Sequence, residues 1–135
     1  MANVADIEFV DSQFFNALNE MFKGNIMPME ALWSHAEDVV YLGPSRDLFH
    51  VGWDAIDRDW LQQNEAQLGG SIQVLKRHIT VSDNLATVHH IAEVSSQGGE
   101  DKISMRGTNV FRNEGGEWKL IAHHSDPLPY LDIPQ

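Results

Sequence analysis

From Ser71 to Asp126 the hydrophobic period is two, and the run is broken at Asp83-Asn84, Gly98-Gly99 and Gly115-Gly116. Such pairs favour the tight turns that join antiparallel strands, because their residues reach positive φ at little cost. The stretch therefore predicts a four-stranded meander. Folding it symmetrically about all three turns sorts the apolar residues onto one face, as a correct register must. That face gathers Leu75, Ile79, Val81, Ala86, Val88, Ala92, Val94, Ile103, Met105, Phe111, Trp118, Leu120 and Ala122. The other gathers Lys76, His78, Thr80, Thr87, His89, Glu93, Arg106, Thr108, Arg112, Lys119, His123 and Ser125.

The last hairpin, Met105 to Asp126, carries most of the chemistry. Symmetric pairing sets Phe111 opposite Leu120, Asn109 opposite Ala122, Gly107 opposite His124 and Met105 opposite Asp126. One inward row across the sheet then reads Arg77, His90, Gly107, His124, flanked by Asn109 and Asp126. Glycine in mid-row opens space that a ligand can fill. This end of the sheet is expected to be the floor of a pocket. A β-bulge in any strand would move these assignments by one residue.

The N-terminal half is helical. Ile7, Val10, Phe14, Leu18 and Met21 or Phe22 mark an amphipathic helix from about Asp6 to Lys23, stopped by Gly24. Pro28 suits the first turn of a short helix ending near His35. A strand at Val39–Leu42 is broken by Gly43-Pro44 and a polar loop through Arg46-Asp47. A further helix runs from about Trp53 to Leu68, with Gly69-Gly70 as its stop. These elements fit one α+β domain spanning 1–135, the helices packed on the apolar sheet face.

A formal charge of −11 argues against nucleic acid and against an anionic membrane surface. Zero cysteines removes thiolate nucleophiles and thiolate metal sites. The acidic start and the lack of any apolar run near ~18 residues point to a cytoplasmic chain. No phosphate loop, nucleophile elbow or dinucleotide fingerprint is present, so no cofactor is expected.

The stretches ALWSHAEDVVYLGPSRDLFHVGWDAI, followed by Trp60, and TNVFRNEGGEWKLIAHHSDPLP resemble SnoaL-like domains and the calcium/calmodulin-dependent protein kinase II association domain. That resemblance implies the nuclear transport factor 2-like cone fold, in which helices cover a curved antiparallel sheet. It spans isomerases, cyclases, dehydratases, hub domains and transport adaptors, so it leaves function open. The kinase hub's pocket arginine on the penultimate strand falls at Asn109. The isomerase and cyclase relatives move a proton with a pocket carboxylate, for which Asp126 is the nearest match by position. Relatives commonly dimerise through the outer sheet face, which implies a homodimer using Thr108, His123, Ile121, Val110, His89 and Ile91.

His124 and Asp126 share a strand face, and a carboxylate beside an imidazole makes a general base near neutral pH. The structural alternative is a turn-capping Asp126 beside a core histidine. Arg77 with His90 would hold an anionic group of a ligand. Trp33, Tyr41, Trp53 and Trp60 are expected partly as core and partly as the wall of an aromatic cavity, with Met105 and Asn109 beside it. Tyr41, Asn109 or Arg77 would stabilise an oxyanion. Adjacent histidines point to opposite faces, so His89-His90 and His123-His124 make poor chelates and no metal is expected. Two functions follow. One is a pocket for a small molecule of unknown identity, with proton transfer on a carbonyl compound by His124, Asp126 and Tyr41. The other is a non-catalytic association module.

Overall fold

The computed structural model describes residues 3–44 and 49–128. The loop expected through Arg46-Asp47 and the tail from Pro129 lie outside the described residues. Helix α1 spans Val4–Met21 and α2 Met27–Leu32; strands β1 (Val40–Leu42) and β2 (Phe49–Val51) precede α3 (Trp53–Ala66). The meander follows as β3 (Ser71–Val81), β4 (Leu85–Ser95), β5 (Lys102–Glu114) and β6 (Glu117–Pro127).

Helix α1 opens on a capping box. Asn3 accepts from the Asp6 amide at 3.0 Å, and Asp6 accepts from the Asn3 amide at 3.2 Å, which satisfies two amides that the first turn leaves free. Its buried stripe is Ile7, Val10, Asp11, Phe14, Phe15, Ala17 and Met21. Pro28 sits in the first turn of α2, as the sequence suggests. That helix stops at Leu32, short of His35, because Trp33 turns extended and bridges to Leu120. Helix α3 ends at Ala66, with Gln67 in the left-handed conformation at φ 43°, before the glycines are reached.

The sheet has six strands in the order β2-β1-β6-β5-β4-β3, with β1 parallel to β6 and every other pair antiparallel. All three expected hairpins form. Gly115 and Gly116 stand at φ 62° and 95° between Glu114 and Glu117, the double left-handed turn that two glycines allow. Helix α1 lies against β3 and α2. The core beneath the helices includes Phe14, Met29, Trp33, Ile56, Trp60, Phe111 and Leu120.

Two bulges change the register. Val74 pairs with Ala92 and Lys76 with Ile91, so Leu75 is an extra residue on β3. It turns outward, 54% exposed, where the alternation placed it in the core. On β6, Phe111 pairs with Leu120 but Val110 with Ala122, which makes Ile121 the extra residue. Beyond it Asn109 faces His123 and Gly107 faces Ser125, each one residue further along β6 than the symmetric pairing. A one-residue slip reverses every later side chain. His123 and Ser125 are therefore buried, and His124 is on the solvent side. Ile103, also expected inward, is exposed near the sheet's end.

Candidate functional site

The inward row reads Arg77, His90, Gly107, Ser125. Beneath α1 this row and its neighbour build a continuous polar chain. Arg77 Nε donates to Asp11 Oδ2 at 2.8 Å, and Asn109 Nδ2 donates to Asp11 Oδ1 at 2.8 Å. Since the amide nitrogen faces the carboxylate, Asn109 Oδ1 is left to accept, and His123 Nδ1 lies 2.6 Å from it. That assigns the ring proton to Nδ1. His123 Nε2 is then a bare acceptor for the Ser125 hydroxyl at 3.2 Å. Burial, with His90 and His124 nearby, pushes the His123 pKa down to about 3, so the ring is neutral at neutral pH.

His90 stands beside this chain without joining it. It is buried, its ring is 4.8 Å from Phe15 in an edge arrangement, and neither ring nitrogen has a hydrogen-bond partner among the described residues. Burial lowers its pKa, which keeps it neutral as well. A neutral imidazole carries one N–H and one bare nitrogen. The expected space over Gly107 is filled: a Cβ there would meet the His124 carbonyl oxygen at 2.8 Å, His90 Cε1 at 3.1 Å and Ser125 Cβ at 3.2 Å. The glycine serves close packing of His90 and Ser125, not a void.

Aromatic rings continue the interior. Phe14 lies 4.6 Å from His123, Tyr41 5.7 Å from it on another side, and Tyr41 stacks on Trp60 at 4.5 Å. Trp33 lies 6.3 Å from Tyr41, Trp53 and Trp60. Trp53 is at the rim, stacked on His35 at 4.3 Å. The indole N–H groups of Trp33 and Trp60 are buried and unpartnered among the described residues. Tyr41 OH accepts from Gln63 at 3.0 Å and keeps its own proton to donate; burial raises its pKa well above the ordinary phenol value.

Of the residues the sequence singled out, Tyr41, Trp33, Trp60, Arg77, His90 and Asn109 come together inside the cone. Met105 is half-buried, opposite Ala92, outside the main core cluster. His124 and Asp126 do form the expected pair, 2.6 Å apart, but on the outer face and half exposed. The Ile121 bulge is the cause. The same slip removes His123 from the outer surface expected for a dimer. Asp11, His123 and Ser125 were missed. An acid between Val10 and Phe14 on the apolar stripe of α1 was the available signal for Asp11. Among the described residues no three His or acidic side chains are grouped to hold a metal, and no helix is long and apolar enough to cross a membrane.

A curved sheet under N-terminal helices, with polar residues at its centre, defines the nuclear transport factor 2-like cone. Residues 11–129 match the SnoaL-like domain, and the chain belongs to that family. It is 25% identical over 119 residues to the F-box protein SKIP8 of Arabidopsis thaliana, covering 88% of this chain. The chain spans about half the length of that curated relative, 48%. A provisionally named calcium/calmodulin-dependent protein kinase type II association domain from Thiobacillus denitrificans superposes with a TM-score of 0.78 at 22% identity, covering 90% of this chain and 94% of that one. A provisionally named dehydratase of the NTF2-like family from Streptomyces avermitilis gives 0.75 at 20% identity, covering 93% and 95%. Likeness at this identity shows the fold.

Proposed function

We propose that the domain takes a small, largely apolar hydroxy or carbonyl compound into the cone and exchanges a proton with it, as an isomerase, dehydratase or cyclase does. The observation that carries this reading is His90, a buried imidazole with two unpartnered nitrogens in an interior where Asp11, Arg77, Asn109, His123 and Ser125 satisfy one another. Buried polar groups are rarely left unpaired, and a ligand hydroxyl or enolisable carbonyl supplies the acceptor and donor His90 needs. Tyr41, held neutral, is a donor for a ligand oxygen. A buried ionic network does not improve stability over apolar packing, which is a reason to look for a use of it. The dehydratase name of the Streptomyces neighbour agrees with this class of chemistry.

Native mass spectrometry of the protein as purified, beside His90→Leu, tests it. A discrete extra mass on the wild type that is missing from a folded His90→Leu variant is the expected result. The same mass retained by the variant removes His90 from the site. Wild type without extra mass in several preparations removes the ligand.

The second reading is an association module. It draws on the mutual satisfaction of the five other polar residues, which have few bonds left to offer a ligand, and on the association-domain name of the Thiobacillus neighbour. Sedimentation equilibrium giving a stable oligomer, unaltered in His90→Leu and free of small molecules, would favour it over the first.

A further inference from the structure

A groove of about 890 Å³ opens on the helical side of the sheet, between α1, α2 and the tip of the β5–β6 hairpin. From α1 it takes Asp6, Phe9, Val10, Gln13, Ala17 and Glu20, whose spacing sets them on one face of the helix. That face adjoins the core stripe and shares Val10 and Ala17 with it. Val10, Ala17 and Leu32 are buried and make an apolar floor with Trp118, which is half-buried and packs against the core. Phe9 stands at the rim, 66% exposed. A large apolar side chain left in water beside an apolar floor marks a contact surface. None of the polar residues inside the cone lines this groove.

The border is acidic. Asp6, Glu20 and Glu117 stand against one cation, Lys119, among the described lining residues. Lys119 is already engaged: its Nζ donates to the Ala31 carbonyl at 2.9 Å and lies 3.3 Å from Glu117. Glu20 has Lys23 at 3.6 Å, an exposed pair of the kind that contributes little and exchanges readily. Asp6 and Glu20 are fourteen residues apart on α1, which places carboxylates about 21 Å from one another along the helix axis.

We propose that this groove receives a cationic amphipathic helix of a partner protein, about four turns long to match that span. Its apolar face would cover Phe9 and the floor, and its Lys or Arg residues would meet Asp6 and Glu20 along α1 and Glu117 on the hairpin. Charge selects against the other occupants. A second copy of a chain with formal charge −11 brings more acid to an acidic border, and nucleic acid or an anionic membrane is repelled likewise. Two copies joined back to back through the outer sheet face would leave the groove open, because it lies on the other side of the sheet.

Fluorescence anisotropy of a labelled leucine–lysine peptide, about 14 residues long with leucine at three- and four-residue spacing, tests the site on the whole chain. Saturable one-to-one binding is expected. A peptide of the same composition in scrambled order should bind at least tenfold more weakly, and so should the patterned peptide with glutamate in place of lysine. Phe9→Ser, at an exposed position that the fold does not depend on, should weaken binding by about tenfold through lost apolar contact. Glu20→Gln with Glu117→Gln should weaken it by about fivefold, in the range of two exposed ion pairs. Glu65→Gln with Asp83→Asn, which removes the same charge from α3 and the β3–β4 turn, should leave it unchanged. Failure of the patterned peptide to saturate overturns the proposal. Equal binding of the scrambled peptide, or equal weakening by the Glu65 and Asp83 pair, also overturns it by reducing the effect to general attraction. Self-association that Phe9→Ser abolishes and that excludes the peptide gives the groove to a second copy and overturns it too.

Discussion

The His123 ring donates through Nδ1 to Asn109 Oδ1 at 2.6 Å, and this bond fixes which way the β6 strand faces. Through Asn109 the imidazole is tied to Asp11 on α1, so one helix and two strands share a single polar chain. The next residue, His124, points the other way and finds Asp126 at the same distance. Two adjacent histidines thus have different environments and should respond differently to change.

His123→Ala leaves Asn109 Oδ1 and the Ser125 hydroxyl without partners and opens a hole beside Phe14. The expected loss is about 2–4 kcal/mol, from unpaired buried groups plus a cavity. His124→Ala removes an exposed pair and should cost under about 1 kcal/mol. Urea unfolding of both variants measures the difference. The reverse order would mean that β6 has no bulge at Ile121.

Acid should weaken the fold before the carboxylates titrate. A histidine with a native pKa near 3 and an unfolded value of 6.5 binds its proton more readily when unfolded. Its contribution is whole above pH 6.5 and is lost as the pH falls toward 3. The slope approaches about 1.4 kcal/mol per pH unit for one group. His90, also lowered, acts in the same direction. Unfolding midpoints at pH 7 and pH ~5, above the range near 4 where most carboxylates titrate, should fall for the wild type and fall less for His123→Gln. Equal slopes in the two proteins would show that the ring is not buried neutral.

The strands and turns were legible because alternation and paired glycines are local signals. The register of β4 on β5 follows from Gly98-Gly99 alone along its whole length. The bulges were not legible in that way. Leu120-Ile121-Ala122 and Val74-Leu75 are runs of adjacent apolar residues, so alternation does not say which one faces the core. Sheet curvature decides it, and that is a tertiary property. From one such ambiguity the histidines exchanged faces and the expected base moved out of the cone. Strand β2 and the early end of α2 also depend on partners distant in sequence, Val40–Leu42 and Leu120. Asp11 was hidden because a charged residue within an apolar helix stripe normally counts against burial, and its partners Arg77 and Asn109 are known only once the sheet is in place.

Gly107→Ala should destabilise the domain by about 1–3 kcal/mol, the usual range for forcing an atom into a filled site. The new Cβ would meet a backbone oxygen, His124 O, at 2.8 Å, and neither strand of the pair can yield without disturbing the ladder. Thermal unfolding measures it. A neutral outcome would mean that β5 and β6 are further apart than described, with room over the glycine after all.

Asp11 and Arg77 offer the sharpest test of how the interior is held. Asp11→Leu removes the acceptor for both Arg77 and Asn109, leaving a guanidinium that is only 17% exposed without its main counter-ion. Glu8, 3.7 Å away and 60% exposed, compensates little. The expected loss is about 3–5 kcal/mol, as for other broken buried pairs. Arg77→Met alone strips the carboxylate of its charge partner and should also be costly. The double variant should lose clearly less than the two single losses added, because two apolar groups in contact need no counter-charge. Urea unfolding of the four proteins closes the cycle. Additive losses would show that Asp11 is stabilised mainly through Asn109, and that the polar chain to His123 and Ser125 stands without the arginine.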